Sequence, residues 1–208
     1  INTISLRMFD YHIGVSDAMV QLLISRGFNP QKLFSIYNGV AFPPEKPSLS
    51  RGEYLESLGV SYDEDTVVFG IAARLNPVKD IATLIRGFAG ACRKCPNIRL
   101  VIAGDGEERQ MLESLAKETC PAGSVVFAGW VKDTDSFYHA IDVNMLTSLS
   151  EGSPYALVEG ARMRCATIAT SVGGIPYMME SGVTGLLFTP RDVETLTSYM
   201  VRLVENPA

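Results

Sequence analysis

Residues 66–106 read TVVFGIAARLNPVKDIATLIRGFAGACRKCPNIRLVIAGDG, and two short apolar runs bound the middle of this stretch. Each run, Val67–Ala73 and Arg99–Ala103, predicts a strand, because it is brief and rich in β-branched residues. Between them, apolar residues recur at the helical spacing i, i+3, i+4, i+7 and i+11, at Ile81, Leu84, Ile85, Phe88 and Cys92. That spacing predicts a helix with a single apolar stripe. The stretch is therefore a strand–helix–strand unit.

The same alternation continues towards the end of the chain. Further apolar runs predict strands over Val125–Ala128, Val143–Thr147, Thr167–Thr170 and Leu186–Phe188. Helical stripes lie at Leu112, Leu115 and Ala116, and at Leu196, Met200, Leu203 and Val204. Most strands are continuously apolar, as expected when helices cover both faces of a sheet. This succession of β–α units predicts an α/β fold with a doubly wound, parallel, Rossmann-like sheet.

The first forty or so residues follow a different pattern. They predict strands over His12–Ser16 and Leu33–Tyr37, with a short helix over Asp17–Ser25 between them. A proline-rich stretch at residues 43–47 predicts an extended linker. The chain begins at Ile1 and not at Met, and its first segment is too short for a core of its own. We interpret residues 1–44 as the tail of a preceding domain plus the linker, and residues 45–208 as the sheet domain.

Composition and charge exclude several classes of protein. Hydrophobic residues make up 47% of the 208 and charged residues 20%, which supports a core and excludes a disordered chain. The formal net charge of −5 argues against a nucleic-acid partner, which would require a clustered basic face. Apolar runs do not reach 18 residues, so we expect no transmembrane segment. We expect a cytoplasmic protein, either free or peripheral at the cytoplasmic membrane.

Two of the four cysteines, Cys92 and Cys95, form a C-x-x-C pattern that can indicate redox or metal chemistry. A redox pair normally lies at a helix N-terminus, where the helix dipole stabilises a thiolate. Here the pair follows a helical stretch and precedes Pro96. The pattern therefore favours reduced thiols in a cytosolic protein.

Doubly wound sheets bind ligands beyond the carboxyl ends of their strands, so the residues after each strand are the candidates for a site. Arg74 and Lys79 follow the first strand of the sheet, separated by a turn that contains Pro77. An arginine offers a bidentate fork to phosphate and a lysine a mobile point charge. Two solvated loop cations are the alternative interpretation.

Glycines follow two other strands. Gly104 and Gly106 suggest a dinucleotide fingerprint, but its third glycine would fall at position 109, which is Arg109. A tight turn after the strand explains both. Gly173 and Gly174 either let a ligand approach the backbone closely or form an ordinary turn.

Asp133 and Asp135 form an Asp-x-Asp pair that could hold a divalent cation on a diphosphate. Either residue could instead cap the helix that follows. We favour capping and expect no metal site, because no further ligand residues accompany the pair.

The richest stretch follows the predicted strand Val143–Thr147. Ser153 suits an N-cap and Pro154 the first helical position, which would leave the amides of the first turn free for a phosphate. Glu151 precedes the helix, whereas Glu159 lies inside it among apolar neighbours, where a carboxylate is costly without hydrogen bonds. Both carboxylates could accept hydrogen bonds from sugar hydroxyls.

At these positions the chain resembles the C-terminal domain of the family-4 (group 1) glycosyltransferases, which have the two-domain GT-B fold. The resemblance covers nearly the whole chain and is carried by several elements in the family's order. These are residues 38–40 (N-G-V), Arg74-Leu75 with Lys79, residues 102–106 (I-A-G-D-G), residues 127–130 (F-A-G-W), Glu151 with Glu159 (E-x₇-E), residues 173–176 (G-G-I-P), residues 182–187 (G-V-T-G-L-L) and Asp192.

The resemblance implies roles for individual residues. Arg74 and Lys79 would bind the donor diphosphate, Glu151 the donor sugar, and Glu159 the ribose. Trp130 and Val131 would lie against the base. The implied catalytic residues are Arg74, Lys79 and Glu151, and the implied donor-binding residues are Arg74, Lys79, Trp130, Val131, Glu151, Gly152, Ser153, Pro154, Tyr155, Ala156 and Glu159.

The chain departs from the family's pattern at several positions. Ala41 stands where Asp is often found and Ala73 where Gly is often found, while Gly160 and Arg164 replace a common Ala and Gly. Tyr177 stands where Glu is common, which puts in doubt a polar contact near the phosphates or the sugar.

The function implied is that of a retaining hexosyltransferase that moves a sugar from a nucleotide-diphosphate sugar to a glycan, lipid or small-molecule acceptor. It would use no metal and no cofactor. The preceding domain would bring the acceptor, so the fragment alone would bind the donor and be inactive in transfer. The alternatives are a non-catalytic nucleotide-binding module and another GT-B enzyme, such as a phosphorylase or an epimerase.

Overall fold

The computed structural model describes residues 9–42 and 46–206, and its centre is a six-stranded, wholly parallel sheet. Its strands are β3 (Val67–Ala72), β4 (Ile98–Ala103), β5 (Val125–Gly129), β6 (Val143–Leu146), β7 (Ala166–Thr170) and β8 (Leu186–Phe188). Their order across the sheet is β5-β4-β3-β6-β7-β8. The order runs outward in both directions from the β3–β6 pair. The predicted doubly wound sheet is therefore confirmed.

Helices cover both faces of this sheet, because successive strand residues point to opposite sides. In β4, Leu100 and Ile102 face one layer while Val101 faces the other. The first layer contains α3 (Ile81–Cys92), α4 (Arg109–Thr119) and α8 (Val193–Glu205). The second contains α2 (Arg51–Ser57), α5 (Thr134–Ala140), α6 (Tyr155–Arg162) and the single turn α7 (Ile175–Met178).

Hydrogen bonds from Arg51 hold helix α2 against the sheet at the end where strands β3 and β6 begin. Arg51 donates from both terminal nitrogens to the carboxylate of Asp142, each at 2.9 Å, and also to the carbonyls of Thr66 and Ala140. Asp142 in turn accepts the backbone N–H of Val68 at 2.7 Å. Helix α2 thus packs with the sheet. The domain boundary between residues 44 and 45 stays a prediction.

The N-terminal segment forms a separate two-stranded parallel sheet, with β1 (His12–Gly14) paired to β2 (Leu33–Ser35). Helix α1 (Asp17–Ser25) lies between these strands in the chain and has the predicted bounds. Both strands are shorter than predicted. The segment packs on the large sheet's loops: the amide of Asn38 donates to the carbonyl of Ser153 at 2.8 Å. Residues 43–45 of the predicted linker lie outside the described residues.

Sequence periodicity placed most of the larger elements within one residue of their bounds. Helix α3 begins and ends where its apolar stripe predicted. The predicted cap of α6 is wrong, however. The helix begins at Tyr155 with Pro154 at the N-cap position, one residue later than expected. The reason is that Ser153 is buried, and its hydroxyl donates to the sulfur of Met178 instead of accepting an N–H of the helix.

Helix α6 ends in a Schellman motif built on an arginine. The N–H of Cys165 donates to the carbonyl of Gly160, and the N–H of Arg164 donates to the carbonyl of Ala161. Arg164 adopts the left-handed conformation that this motif requires, with φ of 63°. Glycine adopts this conformation without steric cost, which explains why the departure from glycine at this position strains the backbone.

We predict that Arg164→Gly stabilises the chain. Relief of the left-handed backbone gains about 1–2 kcal/mol, while the freer unfolded chain of glycine offsets about 0.5–1 kcal/mol. The net gain of roughly 0.5–1 kcal/mol corresponds to a rise of about 2 °C in Tm, measured by thermal unfolding. The matched control is Arg86→Gly in the interior of α3, which should lose about 1 kcal/mol. A lower Tm for Arg164→Gly would contradict the prediction.

Candidate functional site

The loops after β3 and β6 meet where the strand order reverses, and a charged pair joins them. The ammonium Nζ of Lys79 lies 2.6 Å from Oε1 of Glu151. Two further bonds hold the loops together: the hydroxyl of Thr147 donates to the carbonyl of Lys79 at 2.9 Å, and the N–H of Leu149 donates to the carbonyl of Val78 at 2.7 Å. This crevice is where doubly wound sheets bind ligands.

Glu151 is the more buried member of the pair. Its side chain is 11% exposed, against 27% for Lys79. The hydroxyl of Ser148 also donates to Oε1 of Glu151, at 2.6 Å. Two donors on one oxygen fix the direction of the carboxylate, and Ser148 is held by Thr170, whose hydroxyl donates to the Ser148 carbonyl at 2.7 Å.

The glycine pair after β7 supports the Glu151 loop from below. A Cβ at Gly173 would overlap the carbonyl oxygen of Glu151, and one at Gly174 would overlap that of Gly152. The N–H of Gly174 donates to the Glu151 carbonyl at 3.1 Å. The backbone of the Glu151 loop therefore approaches these glycines closely, and a role in ligand approach stays a prediction.

Gly104 and Gly106 have the same use on the other side of the crevice. A Cβ at either position would overlap a carbonyl oxygen of the loop after β3, that of Ala73 or of Leu75. The N–H of Leu75 donates to the carbonyl of Asp105 at 2.9 Å. The two glycines thus fix the course of the loop that carries Arg74, in agreement with the turn interpretation.

Arg74 is not brought to the Lys79–Glu151 pair in this structure. Its side chain is 72% exposed, and its guanidinium lies 3.6 Å from the carboxylate of Glu107. Trp130 follows the edge strand β5, which β4 and β3 separate from β6, and is 77% exposed. Val131, by contrast, packs against the core cluster that contains Phe137.

Helix α6 begins directly after the Glu151 loop, and no side chain caps its N-terminus. Pro154 is buried, Tyr155 is 55% exposed and Ala156 is half-buried. The amides of the first turn lie at the carboxyl end of the sheet because α6 follows β6. They carry the positive end of the helix dipole.

Glu159 lies one turn into α6, beside the hydroxyl of Tyr138 on α5. Burial, followed by the charge of Glu159, raises the pKa of Tyr138. A second contact joins the same two helices, since the guanidinium of Arg162 pairs with the carboxylate of Asp135. Arg162 also donates to the carbonyl of Ala41, at 3.0 Å.

The Asp-x-Asp pair is used within the fold. Asp133 caps α5, because its carboxylate accepts the N–H and the hydroxyl of Ser136 at 3.1 and 2.7 Å. The Ser136 hydroxyl lowers the pKa of Asp133. Asp135 pairs with Arg162. Across residues 9–42 and 46–206, no three His, Cys, Asp or Glu side chains are grouped so that they could share a metal ion.

The C-x-x-C cysteines are buried free thiols at the end of α3. Burial raises the pKa of Cys92 to about 11 and also raises that of Cys95. A redox-active thiol requires the opposite shift. The free, buried thiols thus agree with the expectation that Cys92 and Cys95 are reduced.

Comparison with known proteins identifies the family. The family model described as "Glycosyl transferases group 1" matches residues 66–206, more than half of the chain. The chain belongs to the group 1 glycosyltransferases.

Several glycosyltransferases resemble the chain over most of its length. A D-inositol 3-phosphate glycosyltransferase of Mycobacterium ulcerans is 27% identical over 203 residues, which is 94% of this chain and 42% of that protein. An uncharacterised glycosyltransferase of Methanocaldococcus jannaschii is 31% identical over 202 residues, 93% of this chain and 50% of that one. The chain therefore spans about half the length, or less, of these relatives.

A solved structure also matches closely. HepE of Anabaena in complex with UDP-glucose superposes with a TM-score of 0.84 at 25% identity, over 96% of this chain and 55% of that one. The neighbours are GT-B glycosyltransferases, so the fold expected for the C-terminal half of a GT-B protein is confirmed.

Three polar residues of this group 1 domain that shape the crevice carried no readable signal in the sequence. Ser148 and Thr170 orient the Glu151 loop, and Thr147 holds the Lys79 loop. Serines and threonines are common near strand ends, so their partners become visible only in the fold.

Among the helices of the described ranges, none combines the length and the apolar character needed to cross a bilayer.

We predict that the Lys79–Glu151 pair contributes measurably to stability. A double-mutant cycle with Lys79→Met, Glu151→Gln and both should give a coupling free energy of about 1–2 kcal/mol in urea unfolding, because the pair is largely buried and charge-assisted. The exposed pair Arg74–Glu107 is the matched control and should couple by less than about 0.5 kcal/mol. Equal coupling in the two cycles would show that the crevice pair is an ordinary surface contact.

Proposed function

We propose that the chain is the donor-binding domain of a retaining hexosyltransferase that uses a nucleoside-diphosphate sugar. The observation that carries this proposal is the partly buried Lys79–Glu151 pair at the point where strand order reverses, in a chain that belongs to the group 1 glycosyltransferases. The neighbouring HepE structure was solved with UDP-glucose, which supports a uridine nucleotide as the first ligand to test.

The diphosphate would lie across the crevice, between the loop after β3 and the N-terminus of α6. Lys79 already lies there, and Arg74 is on an exposed part of the same loop from which it can turn away from Glu107. The uncapped amides of Tyr155 and Ala156 would add donors, with Gly152, Ser153 and Pro154 forming the wall below them. Fixed positive groups would stabilise the departing diphosphate, which is electrostatic catalysis.

The two glutamates would bind different parts of the donor. Glu151 lies at the crevice next to the proposed diphosphate, where the sugar would be attached. Glu159 lies one turn into α6, about 6 Å farther along the helix axis than Tyr155, on the side of α5. The ribose would lie there, and the base would continue towards Val131 and Trp130.

The donor site would need no metal ion and no cofactor. Asp133 and Asp135 already have partners in Ser136 and Arg162, so neither carboxylate is set aside for a cation. The acceptor would be a glycan, lipid or small molecule bound by a preceding domain of the longer protein, and the 208-residue chain alone would bind donor without transferring it.

We predict that phosphate affinity depends on the two cations. Arg74→Ala or Lys79→Ala should weaken UDP binding by about 1.5–3 kcal/mol, the contribution of a charged hydrogen bond. Uridine, which lacks phosphate, should lose much less. The measurement is calorimetric titration in buffer with EDTA, with Arg93→Ala as the control that removes a remote exposed cation. Equal losses for UDP and uridine would contradict the assignment, and a need for added Mg²⁺ would contradict the metal-free site.

We predict that the two glutamates differ in what they bind. Glu159→Gln should weaken UDP and UDP-glucose alike, because both contain ribose, by about 1–3 kcal/mol for a lost charged acceptor. Glu151→Gln should spare UDP, and in the full-length enzyme it should lower transfer through a poorly held sugar.

Calorimetry with both ligands makes this comparison, and circular dichroism checks that the variants fold. The division of roles is wrong if Glu151→Gln weakens UDP as much as Glu159→Gln does. If neither variant changes the affinity for either ligand, the two glutamates are structural.

A further inference from the structure

One polar side chain lies in the middle of strand β6. The other residues of this strand, Val143, Met145 and Leu146, are apolar and buried. Asn144 is fully buried among them; its Nδ2 donates to the carbonyl of Ala156 at 2.9 Å, while its Oδ1 has no hydrogen-bond partner in the described part of the chain. A buried unpaired carbonyl costs about 1–3 kcal/mol, so an apolar residue would serve core stability better.

A glycine of α6 lies directly over this asparagine. A Cβ at Gly160 would overlap Nδ2 of Asn144 and would lie 2.8 Å from its Cγ. A glycine in a helix interior also costs about 1 kcal/mol relative to alanine. Gly160 and Asn144, which each lower stability, thus fit one another. Gly160 leaves room for Asn144, and Asn144 donates a hydrogen bond to Ala156 in the first turn of the helix.

This contact sets the position of α6 on the sheet at the place where the helix carries the proposed donor contacts. Ala156, which Asn144 binds, belongs to the first turn whose amides face the crevice. Glu159 immediately precedes Gly160 in the chain. A shift of the helix across β6 would therefore move the first-turn amides and the Glu159 carboxylate together.

We propose that Asn144 is a positioning residue for donor binding, and that Gly160, which has no side chain, leaves the space that Asn144 requires. Asn144 fixes how closely α6 approaches β6 and how its first turn is directed, and it acts through α6 without touching the donor. The inference rests on the proposed function, because it assigns the residue that positions the same donor site.

The chain offers a matched contact that has no link to the crevice. Gly90 of α3 packs against α8 on the opposite face of the sheet, where a Cβ would lie 2.6 Å from Oγ1 of Thr197. Gly90→Ala therefore introduces the same kind of overlap between packed elements as Gly160→Ala. It reports the loss of stability that comes from overpacking alone.

The experiment measures UDP and GDP affinity by calorimetry, together with Tm, for the 208-residue chain and four variants. These are Gly160→Ala, Asn144→Ala, Gly160→Ala with Asn144→Ala, and Gly90→Ala. We expect Gly160→Ala to weaken UDP about tenfold, because displacements well under 1 Å disturb a preorganised site. Gly90→Ala should lower Tm by a similar amount and leave the affinity within about twofold of the wild-type value.

The double variant is the decisive one. It removes the asparagine that the new methyl group overlaps, so its UDP affinity should rise to that of Asn144→Ala. Asn144→Ala lacks the positioning contact but has no overlap, and it should bind UDP about threefold more weakly than the wild-type chain. Wild-type affinity in Asn144→Ala would overturn the proposal. Recovery of Tm without recovery of affinity would overturn the proposal, as would equal affinities for Gly160→Ala and the wild-type chain. Equal losses of affinity in Gly160→Ala and Gly90→Ala would also overturn it, since loss of stability would then be sufficient.

Measurements on the wild-type chain distinguish failure of this inference from failure of the proposed function. Wild-type binding of UDP or GDP with Gly160→Ala unchanged rejects the positioning role alone. Failure of the folded wild-type chain to bind either nucleotide rejects the donor site and, with it, the positioning role.

Discussion

The site depends on the contact between two loops that follow the central strands β3 and β6. Because all six strands are parallel and their order reverses between these two, the loops diverge to opposite faces and leave a crevice between them. The Lys79–Glu151 pair joins the two loops across that crevice, although its members are 72 positions apart in the chain. Its polar supports, Thr147, Ser148 and Thr170, are all buried, so the crevice has a fixed floor.

Close approach between neighbouring loops explains four glycines around this floor. Loops after adjacent parallel strands run side by side, and a Cβ at these positions of one loop would overlap a carbonyl oxygen of the neighbouring loop. Gly104 and Gly106 make room for the loop that carries Arg74, and Gly173 and Gly174 make room for the loop that carries Glu151. The glycines therefore affect the site by allowing the loop backbones to pack closely. This packing sets the positions of the loops that carry Arg74 and Glu151.

Helix α6 adds the second fixed part of the site, and polar contacts hold it on three sides. Asn144 binds it from the strand below, Arg162 pairs with Asp135 of α5, and the same arginine donates to the carbonyl of Ala41 in the N-terminal segment. The N-terminal segment therefore packs against helix α6 itself. Any movement of residues 38–42 is linked through Arg162 and Asn38 to both ends of α6.

The sequence by itself determined the layered fold and which loops to search, since hydrophobic spacing is local and can be read along the chain. Helix α3 and strand β8 have the bounds that their periodicity predicted. Only the tertiary structure decided four other features. These are the order of the strands, the pairing of Lys79 with Glu151, the burial of Ser153 that prevents it from capping α6, and the fit of Gly160 over Asn144. Each of these features depends on residues that packing between helices and strands brings together. The spacing of residues along the chain does not show which helix or strand will be the neighbour of another.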